Sequence, residues 1–392
     1  MKRLAITPMV VLCLVIGLAL SAGSEPLKFS NLIAALRTTT ATRSTRTVNY
    51  LHHSRRKSSA YTVSVVKHPW KPGIPQWGVQ AYWPDNPGDL LSTIWTKAQR
   101  IVDYIVELDA NSICISFPFY TPSIDGSTVS AGAGTPSPAR VGILIREARR
   151  AYLRVTVRPI LDEATLGPPK GWRGIIKPAD RDVWFASYQR LLMPYARISQ
   201  KYGAASLVVG TELDSMEGDH RWDGLIASLG RQFKGEISYD AAWPDYLSRP
   251  VNIPVHYLGV DSYFPVDAPD SASIAGLVAG WNRWLDRKST GKLPRILLSE
   301  VGIVAQDDAY AAPGKFDARH RSDPWIQANW YRAACAVARE RDMAGLYVWA
   351  LDFNSNPDKP TPPTAASPFT FAGRPQSELA LRACFSTSYK VR

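Results

Sequence analysis

Eight short runs of apolar, β-forming residues recur along the chain, and helical segments separate most of them. The runs are WGVQAYW (77–83), SICISFPFY (112–120), RVTVRPIL (154–161), SLVVGTEL (206–213), EISYDAAW (236–243), YLGVDSYF (257–264), RILLSEVGI (295–303) and GLYVWALDF (345–353). Strands that alternate with helices pair in parallel, because each helix returns the chain to the starting edge of the sheet. Eight such units predict a (β/α)8 TIM barrel over residues 76–392. A doubly wound sheet is the alternative, but GVQAYWPDNPGD lacks the glycine-rich phosphate loop that such a fold favours after its first strand.

The segments between the runs carry apolar residues at helical spacing. The first segment predicts one buried face, made of Ile94, Trp95, Ala98, Ile101, Val102, Ile105 and Leu108. The third predicts a helix that Pro194 should kink or interrupt, because proline lacks the N–H that a helix interior needs. The seventh covers about residues 326–341, and the segment between the fifth and sixth runs is short enough for a loop or a degenerate helix.

The N-terminus has the pattern of an export signal. Lys2 and Arg3 precede an apolar stretch, and the small residues Ser21, Ala22 and Gly23 follow it. This order predicts a signal peptide over residues 1–23, with an uncleaved membrane anchor as the alternative. Both alternatives place the rest of the chain outside the cytoplasm, either secreted or periplasmic.

Most of the positive charge lies in one N-terminal segment. The formal net charge is +12, and residues 24–75 contribute +8 of it from nine Lys or Arg and one Glu. This segment is also rich in Thr and Ser, so we interpret it as a basic, mostly disordered linker. Its charge would suit contact with a membrane surface or cell-wall polymer. Lys2 and Arg3 add +2, so the remaining chain carries about +2 and is nearly neutral, which disfavours nucleic-acid binding.

Cysteine and histidine give no metal pattern. Outside the export signal the cysteines are Cys114, Cys335 and Cys384, and an oxidising compartment permits one disulfide, with Cys335–Cys384 as a candidate pair. Three isolated thiols are the alternative. The six His are scattered, so we expect neither a metal site nor a cofactor.

Two glutamates stand at the ends of predicted strands. Glu212 lies near the end of the fourth run and Glu300 lies in the seventh, in apolar surroundings where solubility does not require a charge. Chemistry in such barrels takes place at the carboxyl ends of the strands, and burying a carboxylate is costly unless it is paired. Two carboxyl groups at one barrel mouth indicate glycosidic chemistry, in which one protonates the leaving oxygen and the other attacks the anomeric carbon.

Several residues near the predicted strand ends are candidates to support this pair. Tyr263 could donate its hydroxyl to Glu300, and Arg158 could stabilise the same carboxylate or pair instead with an Asp such as Asp162. The candidates for sugar contact are Asp261, Gln80, Trp83, Trp172 and Trp243, with packing or loop anchoring as the alternative for each Trp. Asp214 and Glu217 lie just after Glu212, and we interpret them as solvated loop residues.

The ordered stretches resemble Glycoside Hydrolase Family 113, a group of β-mannanases within a large clan of retaining (β/α)8 glycosidases. The resemblance rests on WRGIIKPADRDVWFASYQRLLMPYARISQKYGAASLVVGTEL (172–213), HRWDGLIASLGRQFKGEISYDAAW (220–243), LGVDSYFPV (258–266), LLSEVGI (297–303) and FAGRPQSELALRACF (371–385). It spans about residues 76–385.

The resemblance implies a role for each glutamate. Glu212 would be the acid/base and Glu300 the nucleophile of a retaining endo-β-1,4-mannanase-like enzyme, and Trp349 would form the floor of the subsite where the sugar is cleaved. Thr211 precedes Glu212 where many members of the clan have Asn, which leaves open what binds the sugar 2-hydroxyl. Two alternatives remain open: the same mechanism on a secreted exopolysaccharide or cell-envelope β-glycan, and an inactive carbohydrate-binding barrel.

Overall fold

The structure is a computed structural model that describes residues 64–166, 171–357 and 368–387. Eight parallel strands form a closed barrel in chain order, and the last strand pairs with the first. The strands are β1 (Gln76–Tyr82), β2 (Ser112–Phe119), β3 (Arg154–Leu161), β4 (Ser206–Thr211), β5 (Glu236–Ala242), β6 (Tyr257–Asp261), β7 (Ile296–Val301) and β8 (Gly345–Asp352). The predicted (β/α)8 barrel is therefore confirmed, and each strand lies within one of the eight apolar runs or overlaps it.

Helices surround the barrel in the predicted alternation. They are α1 (Leu91–Glu107), α2 (Pro138–Arg150), α3 (Arg181–Tyr202), α4 (Arg221–Gln232), α5 (Trp243–Ser248), α6 (Ile274–Leu285), α7 (Pro324–Glu340) and α8 (Pro375–Thr387). The α5 helix is the degenerate element expected between β5 and β6. Within the described parts of the chain, no helix combines the length and the apolar character that crossing a membrane requires.

The strands are buried on both faces, which explains why they read as continuous apolar runs. Every residue of β2, β3 and β4 is buried, since one face packs inside the barrel and the other contacts the helices. Polar side chains nevertheless lie on these buried strands, among them Ser116 and Arg158, which occupy paired positions on β2 and β3. A buried polar residue needs a partner, so these positions point to the interactions described below.

Two details of the helices differ from expectation. Trp95 is 42% exposed, whereas the other residues assigned to the buried face of α1 are buried. Pro194 neither ends nor divides α3, which runs as one helix from Arg181 to Tyr202. Pro194 is exposed, so water adjoins the turn in which the helix lacks an N–H donor, and the missing hydrogen bond is not left in the core.

The last residues of the predicted linker contact the barrel. The N–H of Val66 donates to the carbonyl oxygen of Ala151 at 3.0 Å, and Val66 is buried. The guanidinium of Arg154 lies 4.3 Å from the ring centre of Trp70. Residues 64–75 thus pack on the end of the barrel at which β3 begins. The predicted export signal and the rest of the linker lie outside the described residues.

A disulfide joins the last two helices. Cys335 of α7 and Cys384 of α8 are bonded across 49 positions of sequence, whereas Cys114 is a buried free thiol. The hydroxyl of Tyr104 on α1 donates to Glu378 of α8 at 2.7 Å. The α8 helix therefore lies between α7 and α1 and completes the ring of helices.

Candidate active site

Arg158 joins three carboxylates from three other strands. Its guanidinium donates to Asp240 of β5 at 2.5 Å, to Asp261 of β6 at 2.8 Å and to Glu300 of β7 at 2.6 Å. Arg158 and Asp261 are fully buried, and the other two carboxylates are nearly so. Of the two partners considered for Arg158 from the sequence, the structure shows Glu300 and not Asp162.

The negative charge of this group exceeds the one positive charge at its centre. Burial raises the pKa of Asp261 well above its usual range and also raises the pKa of Asp240, and Arg158 opposes both shifts. Both shifts have this direction because a neutral carboxylic acid is less costly to bury than a carboxylate.

Both oxygens of Glu300 accept a hydrogen bond. Arg158 donates to Oε1, and the hydroxyl of Tyr263, which follows β6, donates to Oε2 at 2.7 Å. The predicted contact between Tyr263 and Glu300 is thus present in the structure. Two donors on opposite oxygens fix the orientation of this carboxylate at the end of its strand.

Glu212 lies at a strained turn directly after β4. Its φ of +50° is in the left-handed region, which is unfavourable for a residue with a Cβ by about 1 kcal/mol. Its N–H donates to the carbonyl oxygen of Asp240 at 2.8 Å, and the next N–H, that of Leu213, donates to the hydroxyl of Tyr239 at 2.8 Å. These two bonds hold the turn and the carboxyl group that it carries.

Arg173 contacts Glu212 and is a residue that the sequence analysis missed. It lies in a short 3-10 helix, Arg173–Ile175, between β3 and α3, and it is buried. Its Nη1 donates to Oε2 of Glu212 at 2.9 Å, and its Nε donates to the carbonyl oxygen of Leu161 at 2.8 Å. Its Nη2 lies 3.4 Å from Oε1 of Glu163. The signal available in the sequence was a loop arginine beside Trp172, and it has no periodic pattern to distinguish it.

The two glutamates have different electrostatic surroundings. Burial raises the pKa of Glu212 to about 7, with Arg173 lowering it and the charges of Glu300 and Glu163 raising it. Glu300 therefore lies close enough to Glu212 to act on its proton affinity. A carboxyl group that titrates near neutrality beside one held by two donors is the arrangement that pairs an acid with a nucleophile.

Trp349 offers an aromatic surface on the strand that pairs with β7, which carries Glu300. It lies near the end of β8, is half-buried, and has its ring centre 5.5 Å from that of Tyr82 on β1. The peptide bond between Trp349 and Ala350 is cis. The hydroxyl of Tyr82 lies 3.4 Å from Asp162, whose other oxygen accepts a bond from the N–H of Ala164 at 2.7 Å. A half-buried indole can stack on the apolar face of a sugar.

Two other sugar-contact candidates, Trp83 and Gln80, are buried and contact other residues of the protein. Trp83 is fully buried and stacks on Phe353 with ring centres 3.9 Å apart, so it belongs to the core and presents no face to a ligand. Gln80 is fully buried, where it donates to the carbonyl oxygen of Ser299 at 2.8 Å and accepts from Ser116. The sequence pattern missed this because a strand-end side chain can point into the core as well as into the mouth.

Trp172 and Trp243 are both half-buried. The ring of Trp172 covers Gly174, where an added Cβ would lie only 2.5 Å from the indole. Trp243 makes edge contacts with Phe264 and with Trp284, at 5.8 Å and 5.0 Å between ring centres. Trp172 directly precedes Arg173, whose guanidinium contacts Glu212.

A second group of carboxylates corrects the expectation of a solvated loop after Glu212. Asp214 is buried, the side chain of Glu217 is almost fully covered, and Asp245 of α5 lies beside them. Burial and a hydrogen bond shared with Asp245 raise the pKa of Asp214 to about 10, and burial raises that of Glu217 to about 7. Carboxylate oxygens of the three lie within 4.8 Å of one another, close enough to hold a metal ion. The guanidinium of Arg249 contacts Asp245 at 2.8 Å and Glu217 at 3.2 Å, so the protein supplies a cation of its own there.

The sequence profile of Glycoside Hydrolase Family 113 matches residues 93–367. This interval contains Arg158, Arg173, Glu212, Tyr263 and Glu300. No curated protein matches the sequence of the chain.

Solved structures resemble the fold at low sequence identity. A structure described as a complex of a GH113 beta-1,4-mannanase has 18% identity and a TM-score of 0.66, and covers 80% of this chain and 99% of its own. The GH113 beta-mannanase AaManA from Alicyclobacillus acidocaldarius, in complex with ManMIm, has 18% identity and a TM-score of 0.63, and covers 83% of this chain and 100% of its own. A GH5_18 protein from Streptomyces cattleya, in complex with Manb1-4GlcNAc, has 13% identity and a TM-score of 0.52, and covers 81% of this chain and 82% of its own.

Proposed function

The chain belongs to Glycoside Hydrolase Family 113, and we propose that it is a retaining β-mannanase that works by double displacement between Glu300 and Glu212. The observation that carries the proposal is the contrast between these two buried carboxyl groups. Glu300 accepts hydrogen bonds on both oxygens, whereas burial raises the pKa of Glu212 to about 7. The pair thus offers an oriented nucleophile and a proton donor.

In the first step an oxygen of Glu300 attacks the anomeric carbon, and the bond from that carbon to the leaving sugar breaks. Glu212 gives its proton to the departing oxygen and becomes a carboxylate. In the second step Glu212 takes a proton from water, whose oxygen attacks the anomeric carbon and releases Glu300. Arg158 and Tyr263 hold Glu300 in position through both steps. When the second step releases Glu300 as a carboxylate, both residues can donate hydrogen bonds to it again.

The proposed substrate is a β-1,4-linked mannan. The names of the similar structures support this choice, because two of them are described as beta-mannanases. The half-buried Trp349, in contact with Tyr82 and on the strand next to that of Glu300, offers an aromatic surface for the apolar face of a sugar. Neither step needs a metal or an organic cofactor, since the two carboxyl groups supply the acid, the base and the nucleophile.

A second candidate is the same chemistry on a secreted exopolysaccharide or a cell-envelope β-glycan. The observations that favour it are the signal-like N-terminus and the disulfide between Cys335 and Cys384, because disulfides persist in oxidising compartments. We therefore propose that the enzyme acts outside the cytoplasm. The basic residues 24–75 would suit an anionic surface there.

A substrate panel tests the proposal. Wild type, Glu300→Gln and Glu107→Gln are incubated with oligomers of mannan, glucomannan, cellulose and a cell-envelope β-glycan, and products are separated by chromatography. The exposed Glu107, at the end of α1, is the matched control. We expect wild type and the Glu107 variant to cleave mannan, and the Glu300 variant to lose at least about 10³-fold in rate.

Two other outcomes would favour a different function. Cleavage of the envelope glycan in preference to mannan would favour the second candidate. Binding of the oligomers without hydrolysis by wild type would show an inactive carbohydrate-binding barrel and refute the enzymatic proposal.

A further inference from the structure

Arg173 is fixed on two sides and presents its third side to Glu212. Its Nε donates to the carbonyl oxygen of Leu161 at the end of β3, at 2.8 Å. On the second side, Nη2 lies 3.4 Å from Oε1 of Glu163, and the backbone N–H of Arg173 donates to the same oxygen at 3.3 Å. Nη1 is then 2.9 Å from Oε2 of Glu212. Because the side chains of all three charged residues are at most 11% exposed, water screens these contacts little.

The charged groups around Glu212 come from several elements. Arg158 lies on β3, Arg173 and Glu163 lie in the loop that follows it, and Glu300 lies on β7. Asp261 of β6 and Asp214, two residues after Glu212, also interact with it electrostatically. Arg173 is the largest influence that favours the ionised form of Glu212, and Glu163 opposes it.

We propose that Arg173 is a positioning residue which, held by Glu163 and the carbonyl of Leu161, stabilises the ionised form of Glu212 and balances its acid and base roles. The inference rests on the double displacement proposed above and adds to it the pair that tunes the acid/base. Arg173 itself does not contact the reacting atoms in this account and acts through the carboxyl group of Glu212.

The two half-reactions use Glu212 in opposite roles, first as an acid and then as a base. In the first, Glu212 loses its proton to the leaving oxygen, and a neighbouring guanidinium stabilises the carboxylate that forms. In the second, Glu212 takes a proton from water, and the same guanidinium makes it a weaker base. An arginine without a competing anion would favour the first step too strongly. Glu163 shares Arg173 and so limits its effect on Glu212.

Replacement of the two partners is therefore expected to shift the pH profile in opposite directions. Arg173→Gln removes the cation, so the pKa of Glu212 rises and the basic limb of kcat/KM moves to higher pH by about one unit or more. Glu163→Gln removes the competing anion, so the pKa of Glu212 falls and the basic limb moves to lower pH. Arg173→Lys keeps the charge and should stay within about half a unit of wild type.

The identity of the leaving group gives a second readout. Mannan oligomers leave as poor leaving groups that need a proton, whereas an aryl β-mannoside with an acidic phenol does not. Arg173→Gln should lower kcat/KM on the order of 10²-fold for mannan oligomers and far less for the aryl mannoside. A change in folding alone would lower both rates by a similar factor.

The experiment measures kcat/KM against pH for wild type, Arg173→Gln, Arg173→Lys and Glu163→Gln on both substrates, with melting temperatures recorded in parallel. Arg295→Gln, which removes an exposed arginine before β7, is the matched control and should leave the profile unchanged. Opposite shifts for Arg173→Gln and Glu163→Gln support the proposal. Shifts in the same direction, or no shift in either variant, overturn it.

The result separates this inference from the proposed function. If Glu212→Ala retains the full rate on mannan oligomers, double displacement through Glu212 fails whatever the two partner variants show. If Glu212→Ala is inactive on mannan oligomers, and the basic limb of kcat/KM has the wild-type position in the Arg173 and Glu163 variants, only the tuning of Glu212 by these residues is refuted. Should Arg173→Gln not fold, Arg173→Lys and the downward shift of Glu163→Gln still decide the question.

Discussion

At the scale of single residues, the two central glutamates differ in which donors their oxygens contact. Glu300 is held by Arg158 and Tyr263, one on each oxygen. Glu212 lies at a left-handed turn and contacts Arg173 through one oxygen. The neighbours thus give the same type of side chain two chemical characters, which suits the proposed pairing of a general acid/base with a nucleophile.

Replacement of Tyr263 tests whether its hydroxyl holds Glu300 in position for the proposed attack. Tyr263→Phe removes the hydroxyl that donates to Oε2 of Glu300 and leaves the ring in place. A hydrogen bond to a charged group is worth about 1.5–3 kcal/mol, so we expect kcat to fall roughly 10- to 100-fold with little change in KM. Steady-state kinetics on mannan oligomers measures it. Tyr152→Phe, at an exposed tyrosine, is the control, and equal rates in the two variants would contradict the role of Tyr263.

The pH dependence of wild type tests the protonation of Glu212. Burial raises the pKa of this group to about 7, and the proposed first step requires its protonated form. The rate constant kcat/KM for mannan oligomers should therefore fall as pH rises through about 7. For an aryl mannoside with an acidic phenol the fall should be much weaker. A profile for mannan oligomers that stays flat from pH 5 to about pH 9 would contradict it.

The candidate site was predictable where a residue lies on a strand. Glu300 and Arg158 lie on strands, and Glu212 and Tyr263 lie within two residues of a strand end, so fold periodicity alone places them near the barrel mouth. Arg173 lies in the loop between β3 and α3, where contacts depend on the path of the chain and not on periodicity. For Trp83 the pattern left sugar contact and packing open, and its ring stacks on Phe353 in the core.

At the scale of elements, the α7–α8 disulfide links the final helix to the ring of helices. Cys335 and Cys384 close a loop of 49 positions, and a cross-link stabilises by restricting the unfolded chain. We expect the double variant Cys335→Ser, Cys384→Ser to lose about 2–4 kcal/mol of unfolding free energy, measured by urea denaturation. Wild type treated with a reductant should match the double variant. Unchanged stability in both would contradict a role for the disulfide.

Asp214, between β4 and α4, allows a test of how a buried carboxyl group affects the pH dependence of stability. A carboxyl whose pKa is higher in the folded than in the unfolded state holds its proton more firmly when folded, so its stabilising effect is lost as pH rises. The pKa of Asp214 is about 10 in the fold and about 3.9 in an unfolded chain. Stability should therefore decline from weakly acidic to alkaline pH.

Asp214→Asn should remove that decline, because its amide is neutral and can still donate to Asp245. We expect the melting temperature at pH 8 to rise by roughly 2–4 °C and to change little at pH 4.5. Thermal denaturation followed by circular dichroism at both values measures it. Asp267→Asn, at an exposed aspartate after β6, is the control. A lower melting temperature for Asp214→Asn at pH 8 would show that the ionised carboxylate stabilises the fold.

The elements themselves follow from the sequence more fully than their surroundings do. Each strand coincides with an apolar run because both of its faces are covered, and the helices follow the helical spacing. Periodicity cannot tell whether a helix position at the margin of the apolar face is covered by a neighbour, and Trp95 is exposed for that reason. It also overstated the effect of Pro194, which lies on the solvent side of α3.

At the scale of the whole molecule, the site depends on closure of the barrel. Arg158 starts on β3 and reaches carboxylates on β5, β6 and β7, while Glu212 follows β4. These positions lie far apart in sequence, so the ion pairs form only when the strands come together around one axis. A barrel that buried one of these charges without its partner would be penalised, so the ion pairs favour the closed arrangement of strands.

Trapping of a covalent intermediate tests directly whether Glu300 is the nucleophile. A 2-deoxy-2-fluoro-mannosyl fluoride slows both steps, and its good leaving group lets the enzyme–sugar ester accumulate, so mass spectrometry of a proteolytic digest can locate it. We expect one added fluoro-mannosyl group on Glu300, in the peptide that contains LLSEVGI. Attachment to Glu212, or hydrolysis of the reagent to a product of inverted configuration with no labelled peptide, would contradict it.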